Sequence, residues 1–193
     1  RKKQYEYYKS RIIRFDNTFP LVTLEEICLV QSGGTPSKVK SEYWNDGSIK
    51  WLGSTVCQNK KSVSEVTSSI NDLALRSSSS RIMRKETTLI AFVGATIGKV
   101  ALLPFDAAIN QNIAGIYPKD TQKILPSYIY YACSMLYNDF LKLSQGKLAT
   151  ANILFVRGLK IPIPSTQEQA RIVSIFDNFE LLINDDKNGI PAE

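Results

Sequence analysis

The chain has 193 residues, 44% hydrophobic and 10% aromatic, enough for one buried core with appendages, and a formal charge of +6 that favours an anionic partner without identifying one. It contains no histidine, which removes the commonest general base, the histidine-dependent triads and most zinc or iron sites. Cys28, Cys57 and Cys133 are odd in number and far apart, so neither a disulfide framework nor a zinc site follows, and reduced thiols in a cytoplasm are expected.

Residues 1–14 place Tyr5, Tyr8 and Ile12 on one helical stripe among Arg1, Lys2, Lys3, Lys9, Arg11 and Arg14, which reads as the end of an amphipathic helix stopped near Asp16-Asn17 and Pro20. The start lacks both an initiating Met and a signal peptide's apolar stretch, so a fragment is expected. Thr23-Leu-Glu-Glu26 has capping-box spacing and predicts a brief helix, followed by a turn at Ser32-Gly-Gly-Thr-Pro36. Strands are predicted at Ser48 to Leu52, Thr87 to Val93, Val100 to Leu103 and Ile113 to Tyr117, with Ser77 to Ser80 a loop or cap. Ile129, Ala132, Leu136 and Phe140 repeat at helical spacing from Pro126 to about Leu143. Gly146 opens a polar loop before a last strand-like run, Leu159 to Ile163.

Ser165-Thr-Gln-Glu168 is a second capping box. Behind it Ile172, Ile175, Phe176, Phe179, Leu182 and Ile183, at spacings of three and four, make a coiled-coil type seam that Asn188-Gly-Ile-Pro191 ends. No apolar run is long enough to span a bilayer. Acidic residues outnumber basic ones after Ser165, so the two ends of the chain are electrostatically complementary, whereas the excess from Lys38 to Lys61 and from Arg76 to Lys99 is basic and interleaved with Ser, Thr, Asn and Gln. That texture suits a phosphate-facing surface.

Single motifs are weaker. Gly94-Ala-Thr-Ile-Gly98-Lys99 has one residue too few between its glycines for a phosphate loop, and Val100 stands where a Mg²⁺-binding Ser or Thr is required. It reads either as a plain hairpin or as a turn that projects Lys99 toward an anion. Ser32 to Lys38 is either a surface turn or a DNA-facing loop whose N–H groups and Lys38 meet phosphate. Asn110-Gln111-Asn112 is either a structural amide network or a set of base readers, and Trp44 and Trp51 are core or loop anchors before they are stacking platforms.

Taken together and in order, Ser32-Gly-Gly-Thr-Pro-Ser37, Gly47-Ser-Ile-Lys-Trp51, Gly94-Ala-Thr-Ile-Gly-Lys99, Asn110-Gln-Asn112 and Ile161-Pro-Ile-Pro-Ser-Thr-Gln-Glu-Gln-Ala-Arg-Ile172 resemble the specificity subunit of type I restriction–modification enzymes over nearly the whole chain. In that family a shared helical block resembles the present C-terminal element and runs on into a basic segment like residues 1–8. The chain therefore looks like one period of a duplicated protein, a half subunit.

The resemblance implies an α+β fold: a small mixed α/β target-recognition domain with a twisted sheet, flanked by long amphipathic helices of coiled-coil type. The expected divisions are 1–14 (end of a helix), 21–164 (DNA-binding domain), 165–187 (coiled-coil helix) and 188–193 (start of the next helical segment). It further implies a non-catalytic, cytoplasmic prokaryotic protein that reads half of a split target in double-stranded DNA. Partners would be modification subunits, which use S-adenosylmethionine to methylate adenine, and indirectly a restriction subunit using ATP and Mg²⁺; no cofactor or metal is expected on this chain. Ser37, Lys38, Lys50, Lys60, Lys61, Arg81 and Lys99 are expected to position the DNA backbone, and Gln58, Asn59, Gln111 and Gln145 are candidates for base edges. Ile172, Ile175, Phe179, Leu182 and Ile183 are expected to bury against Tyr5, Tyr8 and Ile12 of the same chain or of a second copy, which would form a homodimer of half subunits. The rival readings are a helical assembly scaffold without base recognition and a small nuclease, for which Glu65, Asp72, Glu86 and Asp106 show no Mg²⁺-binding spacing.

Overall fold

A computed structural model describes residues 11–13, 15, 18–63, 65–145 and 151–184, with the side chains of 143–145 and 183–184 outside the description. Strand β1 (Leu21–Thr23) runs into a single-turn helix α1 (Leu24–Ile27) and then β2 (Cys28–Ser32). Thr23 does not cap a backbone N–H; its hydroxyl donates to Glu26 Oε1 at 2.7 Å. The capping signal in the sequence hides β2, whose alternation is nevertheless that of a half-buried strand: Cys28 and Val30 are buried while Leu29 is 53% exposed.

Strands β3 (Ile49–Leu52), β4 (Ser68–Ile70), β5 (Ile82–Met83), β6 (Thr88–Ala91), β7 (Val100–Leu102), β8 (Ala107–Ile109), β9 (Ile113–Pro118) and β10 (Lys160–Pro162) complete the strands among the described residues. One sheet has the order β2-β9-β6-β7 and is antiparallel throughout; a second, β4-β3-β8-β5, joins β3 and β8 in parallel; β1 pairs with β10. Side chains alternate between the faces of the first sheet and sort into two cores. Val30, Ile90, Val100 and Ile116 face the helices. Leu89, Ala91, Ala101 and Ile113 face the second sheet and pack with its Leu52, Met83 and Ile109. On the far side of the second sheet, Trp51, Ile70 and Ala108 pack with Tyr43 and with Ala74 of the short helix α2 (Asp72–Arg76). Strands β6 to β8 are buried on both faces, which is why they read as continuous apolar runs rather than alternating ones.

The helix predicted from Pro126 to about Leu143 is two helices, α3 (Pro126–Ser134) and α4 (Tyr137–Gln145). At the junction Met135 N and Leu136 N donate to Ala132 O and Cys133 O, three residues back, and Ser134 Oγ donates to Tyr131 O at 2.6 Å. These tightened bonds satisfy the carbonyls that a continuous helix would have used. A further helix, α5 (Ile153–Gly158), stands where the sequence reading placed polar loop; Asn152 Oδ1 accepts from Phe155 N at 2.9 Å and starts it. Helix α6 (Thr166–Asn184) begins at the second capping box, where Ser165 Oγ accepts from Glu168 N at 3.3 Å. Glu168 does not reach back to Ser165. It takes two 2.7 Å bonds from Arg171, which hold its carboxyl below the usual carboxylate range.

The Pro-rich entry to α6 ties the layers together. Tyr128 donates its hydroxyl to Pro162 O at 2.7 Å, and burial pushes that phenol up. Gln169 is fully buried and has three partners: its Oε1 accepts from Leu125 N at 2.9 Å and its Nε2 donates to Lys123 O and Pro164 O at 3.0 Å each. A buried amide this well satisfied fixes the start of α6 against the start of α3. None of the described helices is long and apolar enough to cross a membrane.

Candidate nucleic-acid interface

Three polar loops meet at Gly33-Gly34. Gly34 N donates to Ile109 O at 2.9 Å, and Gly34 O accepts from Trp51 Nε1 at 3.0 Å and from Ser80 Oγ at 2.9 Å. A Cβ on Gly33 would fall 1.8 Å from Ile109 O, so the loop can lie on β8 only through glycine. Trp44 Nε1 donates to Ser37 O at 3.1 Å, and the Trp44 and Trp51 rings stand edge to face 5.4 Å apart. Both tryptophans are thus loop anchors. Thr35 Oγ1 donates to Gln111 Oε1 at 2.6 Å, which brings the Asn110 to Asn112 turn alongside. Within that turn the buried Asn110 Oδ1 accepts from Asn112 N at 3.0 Å, the structural alternative of the two readings. Ser37, Lys38, Arg81 and Gln111 are left exposed around this junction.

A second group of predicted residues lies near the helices. Asn59, with φ at 58°, donates its N–H to Val100 O and accepts from Val100 N at Oδ1, both at 2.9 Å, so it clamps its loop onto β7. Gln58 Nε2 donates to Thr55 O at 2.6 Å. Lys61 is ion-paired with Asp177 of α6, whose same oxygen accepts the Tyr131 hydroxyl, and its Nζ lies 5.3 Å from the Tyr131 ring centroid. Lys61, expected to face a DNA phosphate, therefore has its counter-ion within the chain. Lys60 is exposed.

The Gly94 to Lys99 segment is the hairpin connection of β6 and β7, with positive φ at Gly94 and Gly98, and Lys99 on it is half-buried. A strand follows it, where a phosphate loop requires a helix N-terminus. Lys50 projects over Phe105, Nζ 3.7 Å from the ring centroid. The side chain of Gln145 lies outside the described residues.

Two concavities flank β2 and were not foreseen, because β2 and α5 were not. One, of about 400 Å³, lies over β9 and contains Arg84 and Lys119; the other, of about 260 Å³, contains Arg81 and Arg157; Gln31 lines both. No acidic side chain is among their described lining residues. Arg84 stacks 4.5 Å from the Tyr117 centroid. Lys119 Nζ donates to the carbonyls of Glu25 and Glu26 at 2.6 and 3.1 Å, and Arg157 donates to Val30 O at 3.2 and 3.4 Å. The missed signals were the Cys28/Val30 alternation and the capping Asn152 ahead of an apolar run.

The three thiols are buried and free, and burial pushes Cys28 and Cys57 up to about 12 and raises Cys133 as well. They stay protonated at neutral pH and are poor nucleophiles. Among the described residues no group of three or more carboxylates and thiols is placed to hold a metal ion.

The predicted helical seam divides. Ile172 and Phe176 are buried in this chain's own core, Phe176 with its ring 4.9 Å from Tyr131, and Phe179 and Ile12 pack partly against the same cluster. Ile175 is half-buried, whereas Leu182 is 64% exposed. Tyr5 and Tyr8 and the side chain of Ile183 lie outside the described residues.

Residues 17–193 match the family model of the type I restriction modification DNA specificity domain. The chain is 33% identical over 200 residues to the type I restriction enzyme EcoR124I/EcoR124II specificity subunit of Escherichia coli, covering 100% of this chain and 49% of that protein. It is 28% identical to the MjaIX specificity subunit of Methanocaldococcus jannaschii, covering 94% of this chain and 42% of that one. Among solved structures it resembles the HsdS subunit from Thermoanaerobacter tengcongensis, with a TM-score of 0.67 at 18% identity over 93% of this chain and 43% of that one. The α+β fold is shared at this level. The chain spans about half the length of the curated relatives it matches.

Proposed function

The chain belongs to the type I restriction–modification DNA specificity family, and on that premise we propose that it reads one half of a split duplex target and has no catalytic centre of its own. The observation that carries this reading is the convergence of three polar loops on Gly34. Backbone groups, the buried Trp51 and the half-buried Trp44 hold the loops in place, so Ser37, Lys38 and Arg81 are left for an external anion. Phosphate contacts fix register, and side chains held beside them reach base edges.

Lys50, Lys60 and Lys99 extend the basic surface, with Gln58 and Gln111 as weaker base-reading candidates because each already has an intramolecular bond. Lys61 and Asn59 are reassigned to holding their loop. The expected partners are modification subunits, which supply S-adenosylmethionine-dependent adenine methylation, and through them a restriction subunit that uses ATP and Mg²⁺. A split target takes two recognition units, and the chain spans about half the length of the relatives it matches. The exposed end of α6, with Leu181 and Leu182, supports packing against a second copy. Such a complex works in the cytoplasm.

Methylation mapping of DNA from cells that carry the parent locus, with and without this gene, tests the reading. Loss of a split-site adenine pattern on deletion is expected, and an unchanged pattern overturns it. Purified protein that binds duplex DNA without sequence preference, even with modification subunits present, supports the scaffold reading instead.

A further inference from the structure

Strand β2 forms the edge of the first sheet, and its outward face carries Leu29 and Gln31 while Cys28 and Val30 point into the core. Gln31 pairs across the ladder with Gly115, so its nearest cross-strand neighbour has no side chain. A Cβ on Gly115 would fall 2.7 Å from Met83 Sδ, so the Met83 side chain occupies the space over this glycine. Beside Gln31 the trough is therefore floored by Gly115 with the Met83 and Thr87 side chains against it. The Gln31 side chain is half-buried and, among the described residues, makes no hydrogen bond, unlike Gln58, Asn59, Asn110, Gln111 and Gln169, which all do.

Gln31 is also the one residue common to the two concavities, with Arg81 and Arg157 on one side and Arg84 and Lys119 on the other. Lys119 and Arg157 contact carbonyls, which still leaves their positive charge uncompensated by any carboxylate lining the trough. An amide with open donor and acceptor groups between two cationic flanks matches what a base edge between phosphates presents.

Resting on the DNA-reading function proposed above, we infer that the trough along β2 is the face that meets the duplex and that Gln31 reads a base edge there. The amide suits adenine N6 and N7, to which glutamine bonds in a bidentate manner; Arg81 and Arg84 hold the backbone on either side. Apolar Leu29 and Ile82 at the rim are placed for a thymine methyl or sugar.

The test is enrichment of a randomised duplex library by the full chain and its variants, read by sequencing, with affinity measured against salt. Wild type is expected to enrich a motif containing an adenine that Gln31→Ala relaxes by about tenfold or more. Gln31→Glu, nearly isosteric and so a check against misfolding, should shift that position toward cytosine, whose N4 donates to a carboxylate. Arg81→Ala with Arg84→Ala should weaken all sequences alike and reduce the salt slope by about 2. A wild-type motif that survives both Gln31 variants at every position overturns this assignment and leaves DNA reading standing. No enriched motif in the wild type overturns DNA reading itself. An unchanged salt slope in the double variant, with association to modification subunits lost instead, gives the trough to a protein partner and removes the proposal.

Discussion

The Gly34 loop junction and the loop from Ser54 to Val63 are both rich in basic and amide side chains, but they handle charge in opposite ways. At the junction the backbone makes the packing contacts: Gly34 alone bonds to Ile109, Trp51 and Ser80, and the cations are left outside. In the second loop the polar side chains themselves make the contacts, Asn59 to Val100 and Lys61 to Asp177. A lysine in a basic stretch is thus not automatically available to an external anion. Availability depends on whether backbone or side chain anchors the loop.

The contrast can be broken most severely at Gly33. Gly33→Ala places a methyl on Ile109 O and should cost roughly 3 kcal/mol in denaturant unfolding, with target binding lost in parallel. A cost under about 0.5 kcal/mol would mean that the loop does not depend on that close approach.

Asp177→Asn removes the charge opposite Lys61 but keeps an acceptor for Tyr131, so the expected loss is about 1 kcal/mol, appropriate to a pair with side chains 26% and 39% exposed. Lys38→Ala should leave stability within about 0.5 kcal/mol while lowering the salt slope of DNA binding by about 1. If Lys61→Ala lowers that slope just as much, the two regions do not differ as described.

The smallest effect is acid-dependent. Glu168's folded carboxyl sits below its ordinary value of 4.5 because Arg171 bonds the ionised form. The pair therefore contributes stability above that ordinary value and loses it as pH falls through the lowered folded value. Thermal unfolding of wild type and Glu168→Gln from neutral to acid pH should converge at the acid end, by a small and salt-sensitive amount because the pair is solvated.

Elements with their own local code were legible. The Thr87 to Val93, Val100 to Leu103 and Ile113 to Tyr117 runs became β6, β7 and β9, and the Ser165 capping box started α6. Segments whose identity depends on a partner were not. Ala107 to Ile109 becomes a strand because β3 and β5 flank it, and Cys28 to Ser32 was obscured by a capping box that makes only a single helical turn. Hydrophobic spacing predicts one continuous helix from Pro126 because it does not report the tightened bonds at Met135 and Leu136.

The site shows the same division. The ordered motifs from Ser32 to Ile172 were enough to point to the family, since they depend on residue type and order alone. Which amides and cations are unpartnered was decided by the tertiary structure. Gln111 meets Thr35 across 76 positions and Lys61 meets Asp177 across 116, whereas Gln31 faces a glycine. Hydrogen bonds and ion pairs act over a few ångströms in space whatever the separation in sequence, so only the folded chain determines which side chains remain open to a ligand.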